Sequence, residues 1–299
     1  MINEGWGLPV AIYLFLGGLA AAAYYIGVTA DIVSKGRFSN LARLGSYIVV
    51  VPIALGLLML LLDLGKPLKF WHLMIQNGPL NDGLIFRPSS AMSLGVWLLN
   101  GFSLFCGLVY PLLWLAHDRK IPGIFGKDSF RQLIGIMGLP FAVMVAVYTG
   151  VLLSVTTQPI WADTPLLPVL FVISATSTGL AAISLALLFF RNDDAEAMLR
   201  LERGDRILII LELAVVAVLF IWLLFSPAAG GPVRDLLIGR YAVFFWIGFI
   251  IPGLLLPLYV QLYIKRNRGL VLKNLAITSS LLVLVGGFYL RYIMILAAG

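Results

Sequence analysis

The chain is short of charge. Only 12% of its 299 residues are Asp, Glu, Lys or Arg, against about 25% in an ordinary soluble domain, while 61% are hydrophobic and the mean hydropathy is +1.01. So few charges cannot clothe a water-facing surface, and the class is an integral membrane protein. Cysteine is nearly absent too. The single thiol, Cys106, excludes an intrachain disulfide and an iron–sulfur cluster, which needs several thiolates. It lies within an apolar run, where a small buried packing residue is expected. Histidine is limited to His72 and His117, at opposite ends of predicted spans and so on opposite membrane faces. They cannot clamp a haem between them, and they make a metal site unattainable by themselves. Redox chemistry in such a chain has to use a diffusible cofactor or a partner's centres.

What the chain does have is long apolar runs. A hydrocarbon core about 30 Å thick takes roughly 20 apolar residues per helix, and the backbone must satisfy its own hydrogen bonds there. Windows of that length predict eight helices, over 8–32, 44–64, 91–116, 131–156, 166–190, 206–226, 240–264 and 270–297. The expected architecture is an all-α membrane protein with one membrane domain over 1–299. MINEGWGLP lacks a basic region before its apolar run, so that run reads as the first span and not as a cleaved leader.

Orientation follows from Lys and Arg, because short loops rich in them stay in the cytoplasm. Fifteen of the 21 fall on one side, from Lys35, Arg37 and Arg43 to Lys265, Arg266, Arg268 and Lys273. The other side holds Lys66, Lys69, Arg87, Arg234 and Arg240. Both termini are therefore expected outside, in the periplasm of a bacterial or archaeal cytoplasmic membrane. The net charge of +7 belongs to these loops and calls for no nucleic-acid partner. The charged stretch RNDDAEAMLRLERGDR (191–206) mixes both signs at helical spacing and is expected as a solvated cytoplasmic face.

Eight spans divide into four and four, and short phrases recur across the halves. Gly18-Leu19-Ala20-Ala21 returns as Gly179-Leu180-Ala181-Ala182, and GLVYPL (107–112) resembles GLLLPL (253–258), the pattern of a parallel repeat.

An ionisable group inside a span costs at least ~2.5 kcal/mol on insertion scales, so each asks for a partner or a function. Tyr13, Tyr148 and Arg291 lie roughly 8 to 12 Å below the outer ends of spans one, four and eight, and Asp63 closes span two on the same side. Phenol hydroxyls can hydrogen-bond quinone oxygens, and a nearby carboxylate can take the proton released when a quinol is oxidised. An aromatic belt and a snorkelling arginine are the plainer alternatives. Glu212 and Asp31 lie toward the cytoplasmic side; Glu212 reads as one step of a proton path or, more plainly, as the partner of a neighbouring basic residue.

WGLPVAIYLFLGGLAAAAY (6–24), DLGKPLKFWHL (63–73), FRPSSAMSLGVW (86–97), YTGVLLSVTTQPIW (148–161) and GGFYLRYIMILAAG (286–299) together resemble the polysulfide reductase NrfD/PsrC family of membrane subunits. The resemblance runs over nearly the whole chain in the family's order. It implies two four-helix bundles that bind menaquinone or ubiquinone near the periplasmic face and hold no haem or cluster. It implies partners: a ferredoxin-like iron–sulfur subunit, bridging to a molybdopterin oxidoreductase or a multihaem cytochrome c. It places the quinone-facing positions on Tyr13 and Tyr148, and the acidic and histidine positions on Asp63 and His72. The expected function is then a quinol-binding membrane anchor that oxidises quinol, or reduces quinone, within a respiratory oxidoreductase. Trp71 and Trp161, in the outer loops, are expected to anchor at the interface or contact a partner. A multi-span secondary transporter is the alternative, with Glu212 and Arg291 as its buried charges.

Overall fold

The computed structural model describes residues 7–63, 76–77, 84–85, 90–121, 123, 127–156, 158–162, 164–190, 195–266 and 273–297. Eight helices are long and apolar enough to cross a membrane: α1 (Leu8–Val33), α2 (Ser39–Asp63), α3 (Ala91–Asp118), α4 (Asp128–Ser154), α5 (Leu166–Phe189), α6 (Ala195–Leu224), α7 (Phe244–Ile264) and α8 (Lys273–Leu296). Every predicted span is found. The largest boundary difference is at α6, which begins at Ala195 and not near 206, because the charged stretch before it is already helical. Short helices at Pro159–Ala162 and Gly230–Leu237 sit in two of the connections. Two-residue strands, β1 (Gln76–Asn77) and β2 (Leu84–Ile85), pair antiparallel between α2 and α3.

Helix α1 occupies the centre, packed on α2, α4, α5 and α8. Its small residues allow this, since Ala20 to Ala23 are fully buried and backbones can approach where side chains are minimal. A Cβ at Gly27 would sit 2.7 Å from the Leu41 carbonyl oxygen of α2 and 3.0 Å from the Ala42 Cα. Across the opposite interface, a Cβ at Gly179 of α5 would meet the Ala22 carbonyl carbon and the Ala23 nitrogen, both at 2.9 Å. Gly18 faces Ala175 in the same way. The two Gly-Leu-Ala-Ala phrases therefore lie where the two halves touch.

The second repeated phrase has a structural counterpart. Helix α3 widens to a π-helical segment over Ser103–Val109, and α7 does so over Phe244–Leu255. Both segments close with a bond to the fifth residue back, Tyr110 N–H to Phe105 O and Leu256 N–H to Ile251 O. These are equivalent positions of GLVYPL and GLLLPL, each one residue before a proline. Proline lacks an N–H and crowds the carbonyl four residues back, and a widened turn moves that carbonyl away. The same irregularity at the same place in both halves supports the internal repeat.

Exposed apolar side chains ring the helices, among them Leu58, Leu62, Leu104, Leu108, Leu112, Val218, Ile221 and Ile247, as a lipid-facing surface requires. Ion pairs gather at one end of the bundle: Arg37 with Glu196, Arg43 with Asp118 at 3.0 Å, and Arg131 with Asp128 at 2.9 Å. This is the charged face. At the terminal face, where α1 starts and α8 ends, Trp161 Nε1 donates to the Met294 carbonyl at 2.8 Å. Trp161 is buried and braces the α4–α5 connection against α8, contrary to the expectation of an interfacial anchor or partner contact.

Candidate functional site

Near the terminal face, α1 and α4 each turn a tyrosine into the bundle. Tyr13 is 1% exposed, and its ring packs against two positions without side chains, Gly17 and Gly56, whose Cβ atoms would lie 3.7 Å away. Tyr148 of α4 lays its phenol over Gly95 of α3, filling the volume a Cβ there would take. The two phenols come close enough that a charge on one would be felt by the other. The Tyr13 hydroxyl is buried and has no hydrogen-bond partner among the described residues. A buried hydroxyl left this way costs about 1–3 kcal/mol, a cost that a hydrogen-bond-accepting occupant would remove.

Asp63 ends α2 two turns beyond Gly56, on the same face of the helix and roughly 10 Å farther out. It is exposed at the rim, with no hydrogen bond or ion pair among the described residues. His72 lies outside the described residues, as does Trp71. Arg291 is not brought to the tyrosines. It is fully buried on the other side of α1, over the rings of Phe15 at 5.9 Å and Phe171 at 5.3 Å. Phe15 and Tyr13 are two residues apart on a helix, roughly 200° around it, so the guanidinium and the phenols occupy opposite faces of α1. Arg291 donates to Ser174 Oγ at 3.0 Å and to the Gly287 carbonyl at 2.6 Å. Glu212, 3% exposed, lies near the same Ser174 and within electrostatic reach of Arg291. The basic group that acts on Glu212 is thus Arg291, which depth along the spans had grouped with the two tyrosines.

Helix α1 carries more on the tyrosine face. Tyr13, Tyr24 and Asp31 are 11 and 7 residues apart, whole numbers of turns, so they form one line down the helix. The Tyr24 hydroxyl donates to Gly135 O at 3.1 Å beside Cys106, which donates to Gly138 O at 3.4 Å. Cys106 is the buried packing residue expected of it. Asp31 is buried within electrostatic reach of Arg131, whose guanidinium stacks on Trp114 at 3.9 Å. Sequence reasoning counted Arg131 among the loop charges and passed over Tyr24. The signal for Tyr24 was there in its helical register with Tyr13.

A second polar cluster joins α5, α6 and α7. Asp205, expected on a solvated face, is 5% exposed. It accepts from Ser177 Oγ and from Gln261 Nε2, each at 2.6 Å.

These positions can be set beside known proteins. The profile of the family described as polysulphide reductase, NrfD, matches residues 3–299. The chain belongs to the NrfD family. It is 31% identical to a polysulfide reductase subunit of Wolinella succinogenes, over 98% of this chain and 93% of that protein. It is 30% identical to protein NrfD of Escherichia coli, over 98% and 94%. It is 24% identical to the Hdr-like menaquinol oxidoreductase integral membrane subunit of Archaeoglobus fulgidus, over 67% of this chain and 46% of that protein. Family membership and eight apolar helices together make this a multi-pass integral membrane protein of the NrfD family.

Proposed function

We propose that the chain is the quinol-binding membrane anchor of a respiratory oxidoreductase complex. The observation that carries the reading is the Tyr13 hydroxyl, buried with no hydrogen-bond partner among the described residues, near Tyr148 and close to the terminal face. A quinone oxygen is an acceptor of the kind this hydroxyl lacks, so the residues present fit a menaquinone or ubiquinone headgroup. When bound, a quinol supplies two electrons and two protons. Tyr13 and Tyr148 orient the ring by hydrogen bonds to its oxygens, and Gly17, Gly56 and Gly95 hold the two phenols in place. Asp63 at the rim, with His72, accepts protons and releases them to the aqueous side. Arg291 stands apart from this site, bonded to Ser174 and within electrostatic reach of Glu212.

In this reading the two sets of four helices are bundles related by the repeat, and the terminal face is periplasmic, as the distribution of Lys and Arg implies. The membrane is the cytoplasmic one of a bacterium or archaeon. With no haem or cluster of its own, the chain passes electrons to a ferredoxin-like iron–sulfur subunit docked on the terminal face, joined to a molybdopterin oxidoreductase or a multihaem cytochrome c. The relatives named for a polysulfide reductase and for a menaquinol oxidoreductase support this. The test is purification of the tagged chain from native membranes in mild detergent. Quinone in the organic extract, iron, and a redox subunit in the same particle are expected. A chain that emerges alone, free of quinone and iron, favours a secondary transporter instead.

A further inference from the structure

We infer that the second half of the chain holds a binding site for one small monovalent cation of sodium's size, at Asp205 and away from the tyrosine pocket. Asp205 lies inside α6, buried among α5, α7 and α8, and no ion pair reaches it among the described residues. A carboxylate within a span is costly unless its charge is met. Both its oxygens act as acceptors, from Ser177 and Gln261, which is the pattern of an ionised carboxylate.

Two further atoms need an occupant. Gln261 commits its amide nitrogen to Asp205, which leaves Oε1 buried without a partner among the described residues, and Ser279 Oγ is buried and equally unpartnered among them. Gln261 is 7% exposed and Ser279 3%. Both line one small cavity with Ser184, Glu202, Asp205 and Ser280; the remaining lining is Met198, Ile264 and Ala276, so no basic side chain reaches in. The cavity volume is about 10 Å³, room for a single water-sized occupant and far too little for a quinone.

Apart from the Gln261 amide nitrogen, already committed to Asp205, the polar groups of the lining are oxygens, which suit a hard cation. Glu202 has Arg206 within electrostatic reach, whereas no basic group acts on Asp205 among the described residues, so one positive charge is the complement of that carboxylate. A magnesium ion holds several of its waters and has no room here. A neutral water could donate to Gln261 Oε1 and Ser279 Oγ, yet it would leave the carboxylate charge unmet. One bare monovalent ion answers all three demands.

The test uses the full-length chain in mild detergent. Its melting midpoint is followed in NaCl, LiCl, KCl and choline chloride at fixed pH and ionic strength, with equilibrium binding of radioactive sodium alongside. The expected result is a saturable rise of several degrees in NaCl or LiCl, absent in KCl and choline chloride, with about one sodium bound per chain. Asp205→Asn abolishes both signals, and Ser279→Ala, the milder change should the first fail to fold, raises the half-saturating sodium concentration at least about fivefold. Equal midpoints in all four salts, or a sodium response that survives Asp205→Asn, would overturn the proposal. So would stabilisation by acid alone that disappears in Asp205→Asn, since that outcome makes Asp205 a protonated acid beside a water.

Discussion

Replacing Gly95 by alanine tests how the tyrosine pocket is built. The Tyr148 ring occupies the space in question: an added Cβ would lie 2.5 Å from Cε1 and closer still to Cζ and the hydroxyl. Ordinary contact needs about 3.4 Å or more, so the end of the ring has to move by about 1.4 Å. What blocks the methyl is the far end of a side chain, not backbone, and Tyr148 can swing away. The stability cost is therefore at the lower end of the range for overpacking, about 1 kcal/mol. The functional cost is larger, because a displacement of about 1 Å in a positioned group can lower turnover ~100-fold. The assay is quinol oxidation by the purified complex, together with titration of the quinol analogue HQNO. The two sites should be coupled: with Tyr148→Ala already present, Gly95→Ala meets open space and adds nothing, a non-additivity expected of contacting residues. Wild-type turnover and HQNO affinity in Gly95→Ala would refute the reasoning, as would full additivity of the two changes.

Tyr13→Phe removes a buried hydroxyl that has no partner among the described residues, so the quinone-free protein should be unchanged or more stable by up to about 1 kcal/mol while HQNO binds more weakly. A lowered melting midpoint would show that the hydroxyl has a partner. Gly179→Val forces side-chain atoms against the α1 backbone at Ala22 and Ala23, which cannot yield, and should cost about 3 kcal/mol or prevent assembly. Gly231→Ala, in a short helix with nothing within 4 Å, should instead raise the midpoint slightly. Arg291→Gln leaves Glu212 without its cation and should destabilise by about 3 kcal/mol, yet HQNO affinity in the folded fraction should not change, because the two sites lie on opposite faces of α1.

The helices were legible because a membrane span announces itself locally, in some twenty apolar residues, and the number of spans followed. What stayed hidden depended on contacts between distant parts of the chain. Arg291 and Tyr13 are at similar depths, and depth is all that counting along a span reveals; which face of α1 each one meets is decided by α5 and α8. The stretch 191–206 reads as solvated because it mixes charges, but from Ala195 onward it is the first turns of α6, and helical geometry turns Asp205 inward while Arg200 and Arg203 stay exposed. Trp161 shows the same limit, since its partner is the Met294 carbonyl, 133 residues away. Gly95 gave no signal at all: a glycine in an apolar run matters here only because Tyr148 lies over it. The Gly-Leu-Ala-Ala and GLVYPL phrases carried more than their composition suggested, marking the contact between the halves and the paired π-helical segments.

The account's central claim, a quinol pocket between α1, α3 and α4, is tested most directly by photolabelling. The purified complex is irradiated with an azido-quinone, with and without excess HQNO, and the modified peptides are mapped by mass spectrometry. The prediction is HQNO-protected labelling on peptides around Tyr13, Gly95 and Tyr148, lost in the Tyr13→Phe Tyr148→Phe double variant. Protected labelling confined to α5, α6, α7 and α8, or labelling that persists unchanged in the double variant, would contradict it.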